Sequence, residues 1–148
     1  MSKIFIIVLI LISNIFAIDK LYFLPTQSKL AQKDIIHYIN NSHKSIDIAI
    51  YNLNYKKFIK ALNKASKKGV KITIYYYKKK AKLNQNIKTY KVDTKLHTKI
   101  AIFDKKIVEF GSANWKKESF KQNYEVIYIT DKKDIVDKFN NFITTLKR

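Results

Sequence analysis

The chain has 148 residues, 47% hydrophobic and 14% aromatic, a length that suits one folded unit with its own core and an apolar content that excludes disorder. Its formal net charge is +19, from 30 Lys+Arg against 11 Asp+Glu, so a polyanion (nucleic acid, or an anionic membrane surface) is the expected partner. The bland alternative is a solvated lysine-rich surface. Cysteine is absent, which excludes disulfides, thiolate catalysis and cysteine-held zinc, and two glycines are too few for a glycine-rich phosphate loop.

In chain order, residues 1–17 read as an export signal. Lys3 precedes an apolar run from Ile4 to Ile12, then come Ser13, Asn14 and a cleavage point at Ala17. The run is shorter than the roughly 20 residues that span a bilayer, so removal is favoured over retention as an anchor. Only one charge leaves with it. Residues 18–148 then form the mature domain, exported to the periplasm or envelope or secreted, with peripheral or anchored membrane association as an option.

"LYFLP" at 21–25 is a short strand closed by Pro25. Leu30, Ala31, Ile35, Ile36 and Ile39 recur at helical spacing over 29–42. "SIDIAIYNL" at 45–53 alternates as a strand, and residues 56–69 carry Phe58, Ile59, Leu62 and Ala65 on one helical face that stops at Gly69. "VKITIYYY" at 70–77 is a second strand, so this strand, helix, strand order is a unit with parallel strands. Residues 78–95 read as a lysine-dense loop with one short strand near 87–92. "LHTKIAIF" and "KIVEF" flank "DKK" as a hairpin, "NYEVIYIT" is a further strand, and a closing helix follows Asp131, a candidate cap. The expected fold is α/β, a mixed sheet flanked by helices.

Chemistry concentrates in "HTKIAIFDKKIVEFGSANW", residues 97–115. On a strand, His97 and Lys99 project from one face, and the returning hairpin arm brings Ser112 and Asn114 to the same end. An imidazole, an ammonium, a hydroxyl and a carboxamide around one point suit a phosphate: one nucleophile or proton carrier, with donors to stabilise oxygen charge.

The pattern His97-x-Lys99, four residues, Asp104, then Gly111-Ser112-x-Asn114 resembles the signature of the phospholipase D superfamily. In that superfamily two copies of the motif make one active site. One copy stands here, one half-site per chain, which is similar to the small secreted bacterial endonucleases of the superfamily that complete the site as homodimers. The resemblance implies a metal-independent hydrolysis of DNA or RNA phosphodiesters, with no cofactor, through a phosphohistidine on His97. The partner's His97 would act as acid and then base, Lys99 and Asn114 would stabilise charge, Ser112 would add a hydrogen bond, and Glu125 would orient the imidazole. Cleavage would leave a 5′-phosphate and a 3′-hydroxyl.

Asp104 stands in the pattern as a catalytic candidate, yet its place in a turn favours a structural reading as a cap on the hairpin's backbone donors. His37 and His43 are expected to be exposed and to hold no metal. Where the superfamily often carries an aspartate after its second parallel strand, this chain has Tyr75, Tyr76 and Tyr77 followed by Lys78, Lys79 and Lys80. Those lysines, with Trp115, Lys116 and Lys117, are the expected nucleic-acid contacts, Trp115 stacking on bases at the mouth of the site. The competing readings are lipid head-group chemistry and a basic envelope protein for binding or taking up DNA.

Overall fold

A computed structural model of the protein describes residues 17–146, with the side chains of Lys79 and Lys80 excepted. The export segment lies outside the described residues except for Ala17. The elements are β1 (Asp19–Leu24), α1 (Ser28–Asn41), β2 (Ser45–Leu53), α2 (Lys56–Lys67), β3 (Lys71–Lys80), β4 (Lys88–Lys91), β5 (Lys99–Phe103), β6 (Ile107–Gly111), α3 (Lys117–Lys121), β7 (Glu125–Thr130) and α4 (Lys133–Thr145). They form one seven-stranded mixed sheet in the order β1-β7-β6-β5-β2-β3-β4. β2, β3 and β4 run parallel, and the rest pair antiparallel.

The alternation within the strands divides the core in two. Ile46, Ile48 and Ile50 of β2, Ile72 and Ile74 of β3 and Ile127 and Ile129 of β7 point to one face. There they meet Ile35 and Ile39 of α1, Phe58 and Leu62 of α2 and Phe120 of α3. Ala49, Tyr75, Ile100, Ile102 and Val108 point to the other face, which α4 covers with Val136 and Ile143. Three helices therefore cover one face and one helix the other.

Several boundaries differ from the sequence expectation. β3 continues through Lys80, so the lysines expected in a loop extend a strand that pairs with Asn52 and Leu53 of β2 beyond a bulge. β5 begins at Lys99 and not at Leu96, which leaves His97 just ahead of the strand. α3 was not legible, because five residues give too little periodicity. Asp131 does not cap α4: Lys132 occupies the cap position, and the Asp131 carboxylate accepts the backbone N–H of Ile18 at 2.9 Å. The hairpin is as expected, with a turn in which Asp104 (φ 51°) and Lys105 (φ 59°) both adopt the left-handed conformation that tight hairpin turns require.

One acid lies inside the three-helix core. Glu109 of β6 pairs across from Ala101 and Ile129 and is 1% exposed, with neither carboxyl oxygen hydrogen-bonded. Burial pushes its pKa up to about 8, while the Trp115 indole N–H pulls the other way without closing a full hydrogen bond. The folded state thus holds this proton more tightly than an unfolded chain with the ordinary value of 4.5. The associated stability is complete below the unfolded value and is lost as pH rises through about 8. Glu109→Gln is expected to remove that loss, so that its denaturant midpoint exceeds the wild type's at pH 9 and approaches it at pH 5. A midpoint difference that does not change with pH would contradict the burial argument.

Candidate active site

Strand pairing gathers the candidate residues at one end of the sheet. Lys99 opens β5, Gly111 closes β6, Glu125 opens β7, and Tyr51 to Leu53 close β2. Because β5 pairs antiparallel with both β2 and β6, its first residue lies beside the last residues of each. His97, Lys99, Gly111, Ser112, Asn114 and Glu125 line one open cavity of about 420 Å³. Gly111 is required by close approach: a Cβ there would lie 2.0 Å from the carbonyl oxygen of Val126.

Each side chain has its own support. His97 is exposed, and its ring meets that of Tyr51 edge-on at 5.2 Å. Thr98 fixes the backbone beneath it: its carbonyl accepts the N–H of Tyr51 at 3.1 Å, and its hydroxyl donates to the carbonyl of Ala49 at 3.1 Å. Lys99 is 5% exposed and donates from Nζ to the His97 carbonyl at 2.6 Å. Burial lowers its pKa, the Glu125 carboxylate opposes that shift, and Lys95 adds to it. Glu125 therefore helps keep a desolvated ammonium charged.

Asn114 accepts the backbone N–H of Asn52 through Oδ1 at 3.0 Å, so its NH₂ is the group left for a ligand. Ser112 donates to Glu125 Oε2 at 2.5 Å and accepts the N–H of Val126 at 3.0 Å. Glu125 also accepts from Asn123 Nδ2 at 3.1 Å, and no hydrogen bond joins it to His97 within this chain. Within one chain Glu125 holds Ser112, and the expected contact between Glu125 and the imidazole is not formed there.

Two candidates stand elsewhere. Trp115 is 0% exposed, so it is not a stacking surface at the mouth of the site. Its ring packs on Phe58 at 4.8 Å, and its carbonyl accepts the N–H groups of Asn54 (3.0 Å) and Tyr55 (2.8 Å). It anchors the loop that carries Asn114. Asp104 is at the far end of β5, where its carboxylate accepts backbone N–H groups of Lys44 at 2.7 Å and of His43 and Ser45 at 2.9 Å. Burial would raise its pKa, but these backbone donors outweigh it and the net shift is downward. It ties the start of β2 to the hairpin, a different loop from the one expected.

Lys116 is half-buried and Lys117 exposed, and neither lines the cavity. Lys78 is exposed, with Nζ 5.9 Å from the centre of the Tyr51 ring, while the side chains of Lys79 and Lys80 lie outside the described residues. His37 and His43 are exposed, as expected. Among the described residues no group of three His, Asp or Glu side chains is placed to hold a metal ion.

Tyr51 is the residue that sequence reasoning missed. Besides His97 and Lys78 it meets Lys99, whose Nζ is 5.8 Å from its ring centre, and it stacks on Tyr77 at 5.8 Å. Its position at the carboxyl end of a parallel strand, where ligand sites of α/β sheets gather, was the available signal.

A family model described as "Cardiolipin synthase, PLD-like domain" matches residues 35–146. No curated protein matches the sequence. Among solved structures the chain is similar to NucT from Helicobacter pylori, with 28% identity over 88% of this chain and 95% of that one and a TM-score of 0.77. It is also similar to Nuc, a phospholipase D family member from Salmonella typhimurium, with 20% identity, 88% and 93% coverage and a TM-score of 0.76. The same fold spans 26% of polyphosphate kinase from Porphyromonas gingivalis, at 16% identity and a TM-score of 0.70 over 87% of this chain.

Asp104 and Tyr51 make opposite predictions. Asp104→Ala removes a carboxylate that accepts three backbone N–H groups at the start of β2 and is expected to cost about 2 kcal/mol of stability, the order of hydrogen bonds to a charged group, while the folded fraction keeps its turnover of a small phosphodiester. Tyr51→Ala is expected to keep the stability within about 1 kcal/mol of wild type. Its turnover should fall at least tenfold, with Tyr51→Phe restoring most of it. Urea titrations beside hydrolysis of bis(p-nitrophenyl) phosphate distinguish the two.

Proposed function

The chain belongs to the PLD-like domain family and is a phosphodiesterase of the phospholipase D superfamily, and from that footing we propose that it is a metal-independent endonuclease cutting DNA, and RNA as well, in a site shared by two copies. The observation that carries this reading is the cavity itself. One exposed imidazole stands beside a buried ammonium and an amide donor, within a chain of net charge +19.

The proposed reaction has two steps. In the first, an imidazole nitrogen of His97 attacks phosphorus, an N–P bond forms, and the P–O bond to the leaving strand breaks. His97 of the second copy gives its proton to the departing oxygen, so that strand leaves with a 3′-hydroxyl and a phosphohistidine remains. In the second, the second copy's imidazole takes a proton from water, whose oxygen attacks phosphorus, breaks the N–P bond and releases the 5′-phosphate. Lys99 and Asn114 from each copy stabilise the charge that develops on the phosphoryl oxygens. Glu125 supports this by holding Lys99 charged and by fixing Ser112.

A single chain supplies one imidazole, and the two roles need two. The α4 face supports pairing with a second copy. Ile135, Lys138, Phe139 and Phe142 of α4, with Thr98 and Ile100, line an open depression of about 310 Å³, Thr98 standing between His97 and Lys99 in the chain. We assign residues 1–17 to export, to the periplasm or envelope. No helix among the described residues is long and apolar enough to cross a membrane. Lipid head-group transfer is the second reading, favoured by the family model's description as a cardiolipin synthase.

Incubation with single-stranded and plasmid DNA in excess EDTA tests the proposal. Wild type is expected to cut, His97→Ala to lose about a thousandfold or more in rate, and phosphatidylglycerol to remain intact. Turnover of the lipid with no cutting of DNA would move the assignment to lipid chemistry.

A further inference from the structure

We propose that the outer face of α2 is a second, non-catalytic binding site, a track for the sugar-phosphate backbone of a nucleic acid that extends beyond the catalytic cavity. Lys56, Lys60, Lys64 and Lys67 recur at spacings of four, four and three, so they lie along one face of the helix. Lys82, from the connection after β3, lines with them a groove of about 690 Å³ that they share with Asn54 and Asn63. The groove has a fixed wall, because the Asn63 side chain accepts the backbone N–H of Asn84 at 2.9 Å and pins the connection after β3 against α2.

The charge in this groove has no internal balance. α2 contains no acidic residue, and among the described residues none of these lysines makes an ion pair; the ion pairs present join Lys20 to Asp34, Lys132 to Asp19 and Lys133 to Asp137. Like charges at i,i+4 weaken a helix, so the stripe opposes the stability of the element that carries it. A polyanion in the groove relieves that repulsion.

Place and length favour nucleic acid over a membrane. The groove begins at Asn54, whose N–H is bound by the Trp115 carbonyl, one residue from the Asn114 of the catalytic cavity. From Lys56 to Lys67 the helix rises about 16 Å, the length of about five nucleotide steps of a B-form strand. α2 packs on the sheet face opposite α4, so a second copy seated against α4 leaves the track open on both chains. A concave groove that starts beside the loop carrying Asn114 suits a strand, whereas a membrane surface requires a convex or flat face.

The inference rests on the nucleic-acid reading of the site, and its test separates the two. Binding of a strand of about 30 nucleotides and of a duplex of the same length is measured over a range of salt concentrations in full-length His97→Ala, with and without Lys60→Gln, Lys64→Gln and Lys67→Gln together. The triple change is expected to weaken binding at least tenfold near 0.1 M salt. It should also lower the slope of log K against log salt by about 2 for the strand and about 3 for the duplex. Lys→Arg at the same three positions should restore both, and circular dichroism should show a retained fold. Unchanged affinity and slope would overturn the track, as would a loss seen only with phosphatidylglycerol vesicles. DNA binding that depends on the track in His97→Ala, together with a wild type that cuts neither the strand nor the duplex, would sustain this inference while refuting the nuclease reading.

Discussion

The burial of Trp115 is the constraint on which the site depends. The loop after β6 lies outside the continuous ladders of the sheet and meets β2 through the Leu53–Trp115 bridge and the Asn114 side chain, so it needs an apolar anchor beneath it. The indole is that anchor, packed against Phe58 of α2, and the Trp115 carbonyl receives the N–H groups of both Asn54 and Tyr55. With the loop fixed, Asn114 reaches the end of β2 and Gly111 can pass within contact distance of Val126. Truncating a fully buried aromatic costs about 3–5 kcal/mol in other cores, and here the loss would fall on the loop that carries a ligand donor.

Desolvation governs the electrostatics both at the sheet end and in the core beneath it. Lys99 is buried because His97, Tyr51 and Glu125 surround it, and a buried ammonium tends to give up its proton. Glu125 opposes that tendency, which helps keep a cation in the cavity. Glu109, deeper in the core, has no such counter-charge and stays neutral until alkaline pH. The two groups show one physical effect with opposite outcomes, decided by whether a counter-charge is near.

Much of this is legible in the sequence where signals are periodic or local. β2 and α2 can be read nearly to their ends, since alternating isoleucines and a four-residue apolar spacing leave little choice. The cavity residues are legible because a hairpin brings its two outer ends together whatever else the fold does. Trp115 misleads because Lys116 and Lys117 beside it suggest a surface, and only the long-range contact with Phe58 shows otherwise. Tyr51 escapes notice because its meeting with His97 depends on strand register between segments far apart in the chain. Asp104 reads as structural, but the loop it holds is remote in sequence and no local pattern names it.

Central to the proposed chemistry is that one chain carries half of an active site. The most direct test is the specific activity of the protein on DNA during dilution, with the dimer fraction followed in parallel by analytical ultracentrifugation. Activity per chain is expected to fall in step with the dimer fraction and to return on concentration. Full activity per chain in a population shown to be monomeric would contradict the claim.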